Sequence, residues 1–281
     1  MNKVSPAASF LLLTMPEPTR PILGLDFSGA RDAGRKIWLA EASASADGPI
    51  RIARCFPAAE LSGTPQREQV MPALRAYLAA QRGAVIGCDF PFSLHVTQID
   101  APDWLTFIRH FAQRFPDETV FRAATRAVPE LRRRCDLEGA VPFAPTNLRL
   151  YRQTYYGIRD LLAPLALSSA ARIVPLQPPD PNLPCLIEVC PASYLKSAGL
   201  YGSYKGKGAA AGGARECILD ALDGPKLALE QDLRARLIAD AEGDALDSVI
   251  AALIAARALR RGEISRVPTP LEQLEGRVYG L

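Results

Sequence analysis

The nine residues Pro21-Ile-Leu-Gly-Leu-Asp-Phe-Ser-Gly29 decide how the rest of the chain is read. An apolar run ends in an acid and then in Ser-Gly, the pattern of a strand entering a turn. Two further runs follow at hairpin distance, KIWLAEAS (36–43) and IRIARCF (50–56), separated by the turn-forming ASADGP. Three strands in succession predict an antiparallel meander. Residues 65–81 then place Val70, Leu74, Tyr77 and Leu78 at helical spacing. GAVIGCDFPF (83–92) predicts a short buried strand broken by Asp89 and Pro91.

From about 95 to 182 the character changes. Aromatic and Arg-rich helical segments alternate with loops such as VPFAPTN (141–147) and the proline-rich VPLQPPDPNLP (174–184). This predicts a helical insertion. CLIEVCPAS (185–193) is a further strand, followed by the Gly/Ala/Lys-rich loop SAGLYGSYKGKGAAAGGA (197–214) and helices over 215–222, 226–239 and 244–260. The expected fold class is therefore α/β, a mixed sheet whose first three strands are antiparallel, with flanking helices. Residues 1–20 read as a flexible extension and 21–281 as one domain; no internal repeat is present.

Composition narrows the function classes. Hydrophobic residues make up 48% and charged residues 22% of 281, so a large core is affordable and disorder is not the default. The formal net charge of +3 neither demands nor excludes a nucleic-acid partner. Six cysteines without a C-x-x-C pair read as buried thiols in a reducing compartment, and two histidines far from them make a structural zinc site unexpected. No run approaches the roughly 18 apolar residues of a membrane span. A cytoplasmic protein with no membrane partner is expected.

Three apolar strands each carry one carboxylate: Asp26, Asp89 and Glu188. Desolvating an ion costs several kcal/mol unless it is paired or binds a cation, and no Lys or Arg lies within four residues of Asp89 or Glu188. The late helix GDALDSVIAALIAAR (243–257), apolar on nearly every side, opens with Asp244 and Asp247, which share a face at i and i+3. They either cap that helix or hold a ligand. Carboxylates without His or Cys are the ligand set of Mg²⁺ or Mn²⁺. Two such ions about 3.5–4 Å apart would stabilise both the attacking and the leaving oxygen of a phosphoryl displacement.

The strand-one acid in GLDFSG, the strand-four acid in IGCDFPF and the DALD opening a late helix are similar to the ribonuclease H-like superfamily, Holliday-junction resolvases included. More closely, IGCDFPF, IEVCPAS, YGSYKGKG and DALDSVIAALIAA resemble the predicted RNase H-like nucleases grouped as domain of unknown function 429, over about 22–260. That resemblance implies a ribonuclease H-like fold and a metal-dependent nuclease or phosphodiesterase. It makes Asp26 the bridge between two ions and Asp89 and Asp247 further ligands. Asp244 becomes a ligand or its supporting partner, and Glu188 a less secure member of the set.

Other residues carry a functional reading beside a plain one. Lys205 and Lys207 in the Gly-rich loop, with Arg215 after it, are expected to contact phosphate, or to lie on a flexible surface loop. Arg122, Arg126, Arg132, Arg133 and Arg134 either bind a nucleic-acid backbone or form a solvated helix face. Tyr151, Tyr155 and Tyr156 either stack on bases or pack in the core. His95 is an acid–base candidate or a structural residue, and Ser28 and Gly29 form the turn after strand one. Two competing functions remain: an actin-like ATPase or small-molecule kinase, since GLDFSGARDAGR also resembles a first phosphate loop, and a non-catalytic binding protein on the same fold.

Overall fold

The computed structural model describes residues 20–44, 48–126, 129–224 and 226–280. The expected N-terminal extension lies outside these residues, apart from Arg20. Strands β1 (Arg20–Asp26), β2 (Trp38–Ala44), β3 (Ile50–Pro57), β4 (Val85–Asp89), β5 (Arg172–Val174), β6 (Cys185–Glu188) and β7 (Leu227–Ala228) form one sheet in the order β5-β6-β4-β1-β2-β3-β7. β2 runs antiparallel to β1 and β3, as the hairpin spacing predicts, and the other pairs are parallel. The protein is thus an α/β fold with a mixed sheet.

Several elements depart from the sequence expectation. The strand expected over 185–193 ends at Glu188, with Pro191–Ser197 helical, and the helix expected over 215–222 begins at Ala209, inside the expected loop. The helix expected over 226–239 covers only Gln231–Ala239, because Leu227 and Ala228 instead pair with Ile50 and Arg51 at the sheet edge. The 95–182 segment contains a strand, β5, paired to β6. Both strands are two or three residues long, too short for an alternating pattern to be read.

Alternation along β1, β4 and β6 sorts side chains onto two faces. Leu25, Ile86, Cys88 and Leu186 join one apolar cluster with Trp104, Phe111 and Tyr155 of the 95–182 segment. Those helices therefore form the layer covering that face. Ile22, Val85 and Ile187 join the other cluster with Leu219, Leu237 and Ile250 of the three late helices.

Helix Asp244–Arg260 lies directly across β1 and β4. Its sheet-side residues are small, including Ser248, Ala251 and Ala252, and they meet glycines. A Cβ at Gly24 would lie 1.9 Å from the Ser248 carbonyl oxygen, and one at Gly87 2.4 Å from that of Ala251. Both contacts are far inside van der Waals distance, so neither strand position tolerates a side chain. Among the described residues, no helix is long and apolar enough to cross a membrane.

Candidate metal centre

Asp26 and Asp89 are the last residues of β1 and β4 and directly opposite each other in the parallel register. The close seat of helix Asp244–Arg260 brings its first turn to the same strand ends. Asp26, Asp89 and Asp247 each offer a carboxylate oxygen, and these oxygens all lie within 4.8 Å of one another. Asp26 is 6% and Asp247 2% exposed. Asp244 lines the same cleft, which encloses about 690 Å³, within the usual range of ligand pockets.

The helix pair does not cap its own helix. The N-cap is Gly243, in the left-handed conformation, and Asp240 Oδ2 accepts from the Ala245 N–H at 2.9 Å. Asp247 faces the cleft, where Tyr204 donates its hydroxyl to Oδ1 at 2.7 Å and Lys205 Nζ lies 2.6 Å from Oδ2. Lys205 Nζ is also 3.7 Å from Asp244 Oδ1. Among the described residues, no donor hydrogen-bonds to the carboxylates of Asp26 or Asp89.

Four carboxylates thus face one ammonium. Burial, and then the charge of Asp244, push Asp26 well above the usual carboxylate range. Burial followed by Asp247 pushes Asp89 up to about 8. Asp244 is pushed up to about 6, chiefly by burial and against the lowering pull of Lys205. Burial alone would lower Lys205, but Asp247 and Asp26 hold it above its ordinary value, so it stays a cation.

Glu188 lines the same cleft, but its carboxylate is not among the clustered oxygens. In the β4–β6 register it lies opposite Cys88 and not Asp89, and a one-residue offset sends a side chain to the other face. There it meets the fully buried Arg133, which donates from Nη1 to Glu188 Oε2 at 2.8 Å and from Nη2 to Oε1. The Phe92 N–H adds a bond of 2.9 Å to Oε2. Asp136 takes the rest of the guanidinium, at 2.7 Å from Nη2 and 3.2 Å from Nε. The sequence assigned Glu188 to a metal and left Arg133 between a nucleic-acid contact and a solvated helix face; Arg133 is on neither kind of surface, and the two are buried counter-ions. Their separation of 55 residues hides this from any local search.

The loop residues divide three ways. Lys205 lines the cleft with its side chain half exposed, and its ammonium reaches the acids. Lys207 is exposed and does not line the cleft. Arg215 is 4% exposed and spends its guanidinium on backbone carbonyls, donating from Nε to Ile238 at 2.8 Å and from Nη1 to Tyr204 and Gly206. It fastens the loop and is buried away from any phosphate.

Tyr151, Tyr155 and Tyr156 are core residues. Arg134 pairs with Glu138 on the surface, and the Arg122 guanidinium lies 5.6 Å from the Tyr151 ring centre. His95 hydrogen-bonds Thr97 and sits 3.9 Å from Glu275, outside the cleft lining. Ser28 makes the expected turn, its Oγ accepting from the Ala30 N–H. Five cysteines are free and buried as expected, whereas Cys217 is exposed. Sequence reasoning missed Tyr204, and it missed Lys36, Arg149 and Lys196, which line the cleft. Only the Tyr-Lys pair within the quoted loop gave a local signal.

No curated protein and no solved structure matches the chain. The profile of one family, described as "Protein of unknown function (DUF429)", matches residues 24–273. That span runs from the end of β1 through the helix bearing Asp244 and Asp247, so Asp26, Asp89, Asp244 and Asp247 all lie within it, and the chain belongs to the DUF429 family.

Proposed function

We propose that this protein is a divalent-cation-dependent phosphodiesterase of the nuclease type, built on a ribonuclease H-like fold. The observation that carries this reading is Asp26: a carboxylate more than nine-tenths buried, without a protein donor, clustered with Asp89 and Asp247. In its ionised form such a group needs a cation. The donor set is oxygen only, which fits Mg²⁺ or Mn²⁺ and disfavours zinc or copper. Asp26, Asp89 and Asp247 would hold the ion, with Asp244 at the edge of the site. When bound, the ion supplies Lewis-acid stabilisation of charge on a phosphoryl group.

The chain's own residues then bind and orient the substrate. Lys36, Arg149 and Lys196 line the cleft walls and would neutralise phosphates of a nucleic-acid strand. Lys196 lies 5.0 Å from the ring centre of Tyr201, which is 51% exposed and free to stack on a base. The clustering of the two strand-end acids with the late-helix acid supports the reading that the resemblance to ribonuclease H-like nucleases suggests. Five buried free thiols suit a reducing compartment, and we place the protein in the cytoplasm.

The test is cleavage of single- and double-stranded DNA, RNA and a small phosphodiester, with Mn²⁺ and with chelator. Cutting should require the ion, and Asp26→Asn or Asp89→Asn should lower it at least about 100-fold while circular dichroism is unchanged. Undiminished cutting by either folded variant overturns the assignment.

A further inference from the structure

We propose that Lys205 is a built-in cation of the metal centre: its ammonium holds the position beside Asp247 and Asp244 that a second divalent ion would take, so the centre binds one divalent ion. This rests on the acid cluster being a metal site, and it replaces the two-ion arrangement that the sequence suggests.

The first observation is how unevenly donors are distributed. Both oxygens of Asp247 are engaged, Oδ1 by Tyr204 at 2.7 Å and Oδ2 by Lys205 at 2.6 Å. Asp244 Oδ1 faces the same ammonium at 3.7 Å. Asp26 and Asp89 have no hydrogen-bond donor among the described residues. The cluster is therefore half neutralised by the protein and half left for a cation.

The second observation is that the backbone on both sides of Lys205, whose side chain is half exposed, is held in place. Tyr204 before it is 3% exposed and bonded to Asp247, and Arg215 gathers the carbonyls of Tyr204 and Gly206. The Gly206 N–H donates to the Ala241 carbonyl at 2.6 Å. A lysine on a freely moving loop could be a placeholder that any metal expels. One whose neighbours are fastened by a buried guanidinium is part of the site.

Charge sets the terms of the competition. Four ionised carboxylates and one ammonium leave a formal excess of three negative charges. One divalent ion brings this to minus one with the lysine in place, whereas a second would bring it to plus one unless it expelled the lysine from its two carboxylates. An ammonium is a compact point charge with three donors. On a phosphodiester it would bind an oxygen next to the ion and stabilise charge there, a role that needs no second metal.

The experiment is a Mn²⁺ titration of the full chain, followed by calorimetry and by the electron paramagnetic resonance signal of free Mn²⁺. The wild type should bind one ion per chain and Lys205→Met two, because deleting the ammonium opens the Asp244–Asp247 side. Tyr204→Phe, which removes a donor from Asp247 but leaves the lysine, should still bind one. Lys205→Gln replaces the methionine variant if that variant fails to fold. Two ions in the wild type would overturn the role of Lys205 while leaving the metal centre intact, and one ion in both wild type and Lys205→Met would do the same. No ion in the wild type would bring down the metal centre itself.

Discussion

The sheet carries a buried acidic cluster on each face, and the two are satisfied in opposite ways. Glu188 and Asp136 share the fully buried Arg133, and Glu275 accepts the backbone N–H groups of Val96 and Arg134 at 2.8 Å each. Every acid there has its donors, and the network ties β6 to the 95–182 layer and to the chain's C-terminal segment. Across the sheet, Asp26 and Asp89 are as deeply set in a charged environment, yet a single lysine serves four carboxylates. A closed ion network holds a fold together; an open one is poised to receive a cation. The contrast separates structural from functional acids where burial does not, because Asp26 and Asp247 are buried as Glu188 and Asp136 are.

The most severe way to break this comparison is Arg133→Met. It strands Glu188 and Asp136 without a counter-ion and should cost about 3–5 kcal/mol of stability, read as a fall in the denaturant midpoint. Asp89→Asn on the opposite face should instead leave the metal-free protein as stable or more so. A destabilisation of similar size in both would show that the two clusters are not different in kind.

Next in size is a pH effect. Asp89 rises from an ordinary value of 3.8 to about 8 in the fold, so between those values the folded chain binds more protons than the unfolded one. Stability of the metal-free protein must then fall as pH rises through that window. From pH 5.5 to 8.5 the loss should be on the order of 2 kcal/mol, and saturating Mn²⁺ should remove it. Thermal melts across that range check both arms; a metal-free stability that rises with pH would contradict the assignment of unmatched charge.

Glu188→Gln should cost about 1–3 kcal/mol, the scale of a weakened buried charged hydrogen bond, and leave Mn²⁺ affinity unchanged in calorimetry. Loss of the metal with this variant would return Glu188 to the ligand set. At the small end, Arg134→Ala removes an exposed pair with Glu138 and should leave the midpoint where it was, since such pairs contribute little.

These contrasts mark what could be read from the chain alone. The meander, the central strands and the apolar late helix were legible because each is a local pattern of period two or of continuous apolarity. Asp26, Asp89 and Asp247 were legible for a chemical reason: an acid in an apolar run is costly wherever the run folds. The same reasoning gathered in Glu188, because an acid's cost says nothing about which face it occupies. That depends on register, and register is decided between strands. Arg133 was indistinguishable from the surface arginines around it, since the partner that buries it is far along the chain. Lys205 was noticed for its glycines and expected to contact phosphate; its contacts with Asp247 and Asp244 join residues well separated in the chain and gave no local signal. The short strands β5 and β7 exist only because a neighbour offers an edge.

One packing detail reaches further than its size suggests. Helix Asp244–Arg260 rests on β1 and β4 with no side chain between Gly24 and the Ser248 carbonyl, or between Gly87 and that of Ala251. The span between the strand acids and the helix acid is thus gauged by main chain against main chain. Rotamer changes elsewhere in the core can accumulate without altering it, whereas a single added methyl group at either glycine would pry the jaws of the site apart while leaving every charged residue in the sequence untouched.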